Sequence, residues 1–220
     1  MKKFNHVPLD YSEVSDRLLT ENIDGKRYYV TPEGNKYVSI TSLLSNLSKA
    51  SILEWRKRVG EAEANKISTR ASRRGTSLHS ICEAYLRNES DILKGKMPHV
   101  VEMFESIRSL VERIDNIHMI EGALWSDHFG VAGRTDVIAE FDGRLSVIDY
   151  KTSSRIKTRS HCESYFMQGS FYAIAFEERT GIPVDQIVII MAVENEEPIL
   201  FIEKRDDWAD SLTEVVNKYR

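Results

Sequence analysis

From Ser48 to about Asn88 the polar and apolar positions alternate at helical spacing. Leu53, Arg56 and Gly60 lead into an alanine-bearing stretch, and Leu78, Ile81, Cys82, Tyr85 and Leu86 then fall at i, i+3, i+4, i+7 and i+8. That stripe predicts a buried helical face. Gly75, just ahead of it in "RRGTS", predicts a break, with Thr76 or Ser77 capping a second helix. Pro98 suits the first turn of a further helix running to Arg113. Upstream, "RYYVTPEGNKYVSIT" reads as a hairpin around a Pro-Glu-Gly-Asn turn.

Downstream the period shifts to two. Strands are predicted at "IHMIEGALWS" (117–126), "VAGRTDVIAEF" (131–141) and "RLSVIDYK" (144–151). A helix over 160–180 stops at Gly181, with Pro183 beyond it. "QIVIIMAV" (186–193) is apolar throughout, as a strand covered on both faces would be. Strand, helix and buried strand in that order imply a right-handed crossover and a parallel pair. "PILFIEK" adds a strand, and Asp206 or Asp207 is placed to cap a last helix ending near Tyr219.

The fold class expected is α/β: a helical N-terminal half and a mixed sheet, antiparallel in its first strands and parallel at the crossover. One domain is expected over 1–220, with the hairpin and helices in 1–115, the sheet and crossover helix in 116–205, and the last helix in 206–220. At 220 residues and 41% apolar, the chain is long enough for one sizeable core.

No apolar run approaches a membrane span, and no apolar stretch follows the two N-terminal lysines as in a secretory signal, so a cytoplasmic setting is expected. Two cysteines, Cys82 and Cys162, do not make a disulfide framework or a four-cysteine cluster. The net charge of −4 argues mildly against a nucleic-acid coat, yet two basic patches stand out. One spans Lys49 to Arg74 and includes Arg73; the other is "KTSSRIKTR" (151–159), which has no acid. Taken alone, each reads first as a solvated face.

One stretch asks for chemistry: "GRTDVIAEFDGRLSVIDYK" (133–151). Asp142-Gly143 predicts a two-residue hairpin loop, because both positions favour φ > 0. If Phe141 faces Arg144, pairing runs back through Val137 with Ile148 to Asp136 opposite Asp149. Like charges directly opposed repel, so something positive belongs between them. Lys151, on the same strand face as Asp149, would make a structural salt bridge. Mg²⁺ or Mn²⁺ would suit the same oxygens, with the backbone carbonyl of Tyr150 beside them. The hairpin leaves these two readings level. His79 with Glu83, and Gln168 with Tyr172, are i, i+4 pairs on predicted helices, and either could be a plain surface pair.

In order, the blocks "RRGTSLHSICEAYL", "EGALWSDHFGVAGRTDVI", "LSVIDYKTS" and "YFMQGSFYAIAFEE" resemble the RecB-type branch of the PD-(D/E)XK nuclease superfamily. Within that branch they are similar to the mitochondrial genome maintenance exonuclease group and its bacteriophage relatives. "YYVTPEGNKYVSITSLL" and "ILEWRKRVGEAEA" extend the likeness, which covers about residues 28–176. The resemblance implies a restriction-endonuclease-like core. It implies His79, Asp136, Asp149 and the Tyr150 carbonyl as holders of one or two Mg²⁺ or Mn²⁺ ions, and Lys151 as the catalytic lysine. Gln168 and Tyr172 match its Gln-x-x-x-Tyr motif, and Glu83 and Glu121 stand where relatives often carry glutamates. Val38 replaces a proline common in the family, and the cysteines of its iron-sulfur members are absent.

On this likeness the basic patches become a phosphate track of Arg73, Arg74, Thr152, Ser153, Arg155 and Lys157, with Tyr165, Phe166 and Tyr172 as candidates for stacking on bases. The function expected is a metal-dependent deoxyribonuclease, an exonuclease acting at DNA ends with a preference for single strands. A flap or branch endonuclease and a non-catalytic DNA-binding scaffold are the competing readings.

Overall fold

The computed structural model describes residues 2–9 and 18–220. Its strands are β1 (Leu19–Ile23), β2 (Lys26–Val30), β3 (Lys36–Ser39), β4 (Ile114–Ile120), β5 (Ala123–Ser126), β6 (Val131–Arg134), β7 (Val137–Phe141), β8 (Arg144–Ser153), β9 (Gln186–Val193) and β10 (Ile199–Lys204). The helices are α1 (Ile40–Leu44), α2 (Lys49–Val59), α3 (Glu61–Leu86), α4 (Pro98–Val111), α5 (Glu163–Thr180) and α6 (Ala209–Tyr219).

The strands form two sheets where the sequence suggests one. The central sheet runs β10-β9-β8-β7-β4, antiparallel except for the β8–β9 pair, which is parallel through the α5 crossover. An accessory sheet runs β1-β2-β3-β6-β5. The two apolar runs 117–126 and 131–141 are each divided between the sheets: β4 passes to β5, and β6 passes to β7. At the first crossing Glu121 takes a φ of +56°. The crossings are tied together: Glu121 N–H donates to Asp136 O (2.8 Å) and Thr135 N–H to Gly122 O (2.9 Å). Asp136 and Glu121 therefore sit on the seam between sheets.

Burial explains the central sheet's patterns. All eight residues of β9 are buried. Ile187, Ile189 and Met191 join the core under α5 and α6, while Val188, Ile190 and Ala192 join the core under α3 and α4. Covering both faces of one strand is what makes its sequence apolar without alternation. The crossover helix lies tight against it, for a Cβ on Gly169 would come 2.4 Å from Ile187 Cγ2. The Asp-Gly turn sets the register anticipated, from Phe141 with Arg144 to Val137 with Ile148. Gly181 ends α5 in the left-handed conformation, at φ +70°.

Three expectations are corrected. The N-terminal half is not simply helical: besides the expected hairpin, which is β2 and β3, it supplies β1, whose five residues are all exposed and carry no alternation. The helix breaks at Gly60 (φ +85°), not at Gly75, so Thr76 and Ser77 lie inside α3 and cap nothing. A glycine inside a helix costs only about 1 kcal/mol, and Leu78, Ile81, Cys82, Tyr85 and Leu86 bury the turns that follow it. Finally, neither Asp206 nor Asp207 caps α6; they form a 3₁₀ turn ahead of it, and Asp206 pairs with Arg205 at 2.8 Å.

Candidate active site

The ridge of α3 seated on β8 fixes the side chains between its buried positions. His79, next to Leu78, is thereby aimed at the seam, where its Nδ1 lies 3.3 Å from Asp136 Oδ1. Asp136 stands one residue before β7 begins, just beyond the last ladder pair. Its Oδ2 accepts the backbone N–H of Tyr150 (2.9 Å), which orients the carboxylate across the strand ends. Asp149 is within β8 and 4% exposed.

Lys151, two residues on, contacts Asp149 Oδ2 at 2.5 Å. Its Nζ donates to Gln168 Oε1 (3.3 Å), and Gln168 Nε2 donates to the Tyr172 hydroxyl (3.4 Å). The close packing of Gly169 on β9 is what lets α5 bring Gln168 to this lysine. Lys151 Nζ also sits 4.9 Å over the Tyr165 ring. A continuous polar chain therefore links Asp149, Lys151, Gln168 and Tyr172, the last two one turn apart on α5.

The charges set one another. Burial disfavours the imidazolium of His79, but Asp136 and, less strongly, Asp149 overcome it and push the pKa to about 9. Burial would raise Asp136, yet His79 and Lys151 hold it below the ordinary carboxylate range. Asp149 goes the other way: burial, reinforced by the charge of Asp136, outweighs Lys151 and lifts it to about 6. Lys151 resists its own burial because Asp149 and Asp136 favour the ammonium, and its pKa is raised. Two adjacent carboxylates with opposed shifts are a feature of sites that handle protons and metals.

One imidazole nitrogen and two carboxylate oxygens, from His79, Glu121 and Asp136, come within 4.8 Å of one another. Mixed nitrogen and oxygen donors at that spacing fit a divalent ion such as Mn²⁺ or Mg²⁺. Glu121 belongs to this cluster, and Asp149 lies outside it, held by Lys151. The cluster opens on a cleft of about 670 Å³ between α3 and the accessory sheet, with Arg27, Tyr29 and Thr41 on its far wall. A second cleft of about 490 Å³ lies beyond; Glu83, Glu121 and Arg134 line both.

The remaining anticipated residues divide. Arg73 and Arg155 are exposed and Thr152 is half-buried. Arg74 is not on the surface: it is 6% exposed and its Nη1 donates to Glu194 Oε2 at 2.8 Å, so it is a structural ion pair. Ser153 is buried and its hydroxyl closes the turn onto Arg155 O (2.6 Å). Lys157 Nζ donates to the Tyr165 hydroxyl (2.7 Å). Phe166 and Tyr172 are core, at 0% and 1% exposure, and offer no face to a base. Glu83 pairs with Arg87 at 3.2 Å on the cleft rim. For Arg134 the sequence offers one sign, the polar Arg-Thr ahead of Asp136, and nothing in it marks Arg27.

Residues 44–219 match the PD-(D/E)XK nuclease superfamily. The chain belongs to that family. It is 26% identical over 131 residues to mitochondrial genome maintenance exonuclease 1 of Mus musculus, covering 56% of this chain and 39% of that protein. It is 25% identical over 109 residues to the Homo sapiens protein of the same name, covering 47% and 31%. The match thus spans well under half the length of these relatives. A solved structure from Eubacterium rectale that carries the name of an exonuclease aligns with a TM-score of 0.47 at 16% identity, over 67% of this chain and 64% of that one. The mixed sheet with its hairpin and crossover strand is the restriction-endonuclease-like core of the superfamily. No helix among the described residues is long and apolar enough to cross a membrane.

Proposed function

We propose that this single domain is a metal-dependent deoxyribonuclease that hydrolyses phosphodiester bonds at DNA ends. The observation that carries the reading is the convergence of His79, Asp136 and Glu121 on one point, with Lys151 held beside them by Asp149 and Gln168. His79, Asp136 and Glu121 would hold a Mg²⁺ or Mn²⁺ ion, with Asp149 and the Tyr150 carbonyl as the further oxygens that the family likeness implies, and such an ion would acidify the attacking water and neutralise charge on the phosphate.

This chain's own groups do the rest. Asp136 is oriented by the Tyr150 N–H before any ligand arrives. Lys151, kept protonated by its two carboxylate neighbours, is suited to donating a hydrogen bond to a phosphate oxygen and not to removing a proton. Gln168 aims that ammonium, and the Tyr172 hydroxyl fixes Gln168. Arg73, Arg155 and Lys157 supply the sequence-independent hold on the backbone.

The test is digestion of linear and closed circular DNA with Mg²⁺ or Mn²⁺, by the parent protein and by Lys151→Ala. Degradation of linear DNA alone, abolished in the variant, is the expected result. Cutting of closed circles would make it an endonuclease. Inert parent protein would leave a DNA-binding scaffold as the better account.

A further inference from the structure

Glu121 is committed twice. Its carboxylate is one of three donors converging on the candidate ion position, and it is also the ion-pair partner of Arg134. The two roles compete, because both cations draw on the single negative charge of one carboxylate and a divalent ion bound there repels the neighbouring guanidinium. The partners differ in freedom. Glu121 has a side-chain exposure of 17% and a backbone locked to Asp136 through its N–H, whereas Arg134 has a side-chain exposure of 45% and lies on the wall of both clefts. When the pair separates, it is Arg134 that can move.

We infer that Glu121 and Arg134 form an exchangeable pair: a divalent ion takes Glu121, and the released Arg134 guanidinium binds a DNA phosphate where the two clefts meet. This rests on the proposed function and names a phosphate-binding residue within it. The guanidinium fork offers two parallel donors to phosphate oxygens, which suits a residue that changes one oxyanion for another. Without an ion, Arg134 stays occupied by Glu121 and the grip on DNA is weak. With an ion it is free, so ion and DNA each strengthen the binding of the other by the same factor.

A purely structural ion pair predicts the reverse for the ion, since loosening Glu121 would impair the site. Mn²⁺ binding is therefore measured by calorimetry for the parent protein, Arg134→Gln and Arg134→Lys. Binding of a fluorescein-labelled oligodeoxynucleotide is measured by anisotropy, in Ca²⁺ and in EDTA. Arg134→Gln is expected to bind Mn²⁺ about 3- to 10-fold more tightly, the factor set by removing a partly exposed ion pair. It should bind DNA roughly tenfold more weakly in Ca²⁺ yet nearly as the parent does in EDTA, with Arg134→Lys between them. Mn²⁺ binding unchanged or weakened in Arg134→Gln overturns the exchange, as does an equal loss of DNA affinity in EDTA and Ca²⁺. Failure of the parent protein to bind Mn²⁺ at all overturns the functional reading beneath it.

Discussion

Gly133 of β6 is pressed against the support of the site, and its replacement tests how that support is built. A Cβ at this position would lie 2.8 Å from Ile40 Cγ2, from Tyr172 Cε1 and from the Tyr172 hydroxyl. Ordinary carbon contacts begin near about 3.5 Å, so three atoms would overlap by roughly 0.7 Å. Ile40 and Tyr172 are 0% and 1% exposed and have no room to yield freely. Gly133→Ala should therefore cost about 1–3 kcal/mol, the range for overpacking a filled core. The displaced Tyr172 hydroxyl should also release Gln168 and slow catalysis through Lys151. Urea unfolding followed by tryptophan fluorescence in EDTA, on Gly133→Ala, Tyr172→Leu and the double variant, reads the stability effect. Leucine removes two of the three clashing atoms, so the alanine should cost at least about 1 kcal/mol less in that background. Additive costs within about 0.5 kcal/mol would refute the crowding argument.

Lys151→Met should lower kcat by about 100-fold or more while leaving calorimetric Mn²⁺ binding intact, since it removes the phosphate donor and no ion ligand. In EDTA, His79 is protonated up to about pH 9 against about 6.5 when unfolded. Its pairing with Asp136 should thus stabilise the fold fully below pH 6.5 and fade as pH rises towards 9, by up to about 3 kcal/mol. Mn²⁺ must displace that same proton, so its apparent affinity should rise about tenfold per unit from pH 7 to 9; a flat profile in calorimetry would exclude His79 as a ligand. Arg74→Ala should lower the unfolding free energy by about 1–3 kcal/mol, read as a lower urea midpoint, through loss of its buried pairing with Glu194, while Arg73→Ala should leave stability alone and reduce the salt slope of DNA binding by about one.

The hairpin register, the doubly buried β9 and the end of α5 were legible because local chemistry decides each: an Asp-Gly turn, an unbroken apolar run, a glycine followed by proline. The division of 117–126 and 131–141 between two sheets was not, because apolar residues continue on both sides of each crossing. The turn at Glu121 is made by a glutamate at positive φ, which no turn composition announces. Arg73 and Arg74 are equivalent in sequence. What separates them is Glu194, 120 residues further on from Arg74, and only the tertiary fold brings it there. Within the site, Asp136 lies just past the last ladder pair and its carboxylate accepts the Tyr150 N–H, a contact that the strand register alone does not specify.

Because Asp136 and Glu121 belong to the seam and not to the interior of either sheet, their carboxylates stand where one sheet hands over to the other. The Glu121 and Thr135 amides staple the crossings, so the attachment of the accessory sheet to the central one runs past the position where the ion would sit. Those two amide hydrogens are built-in reporters, and their exchange with solvent would register any substrate that levers the sheets apart.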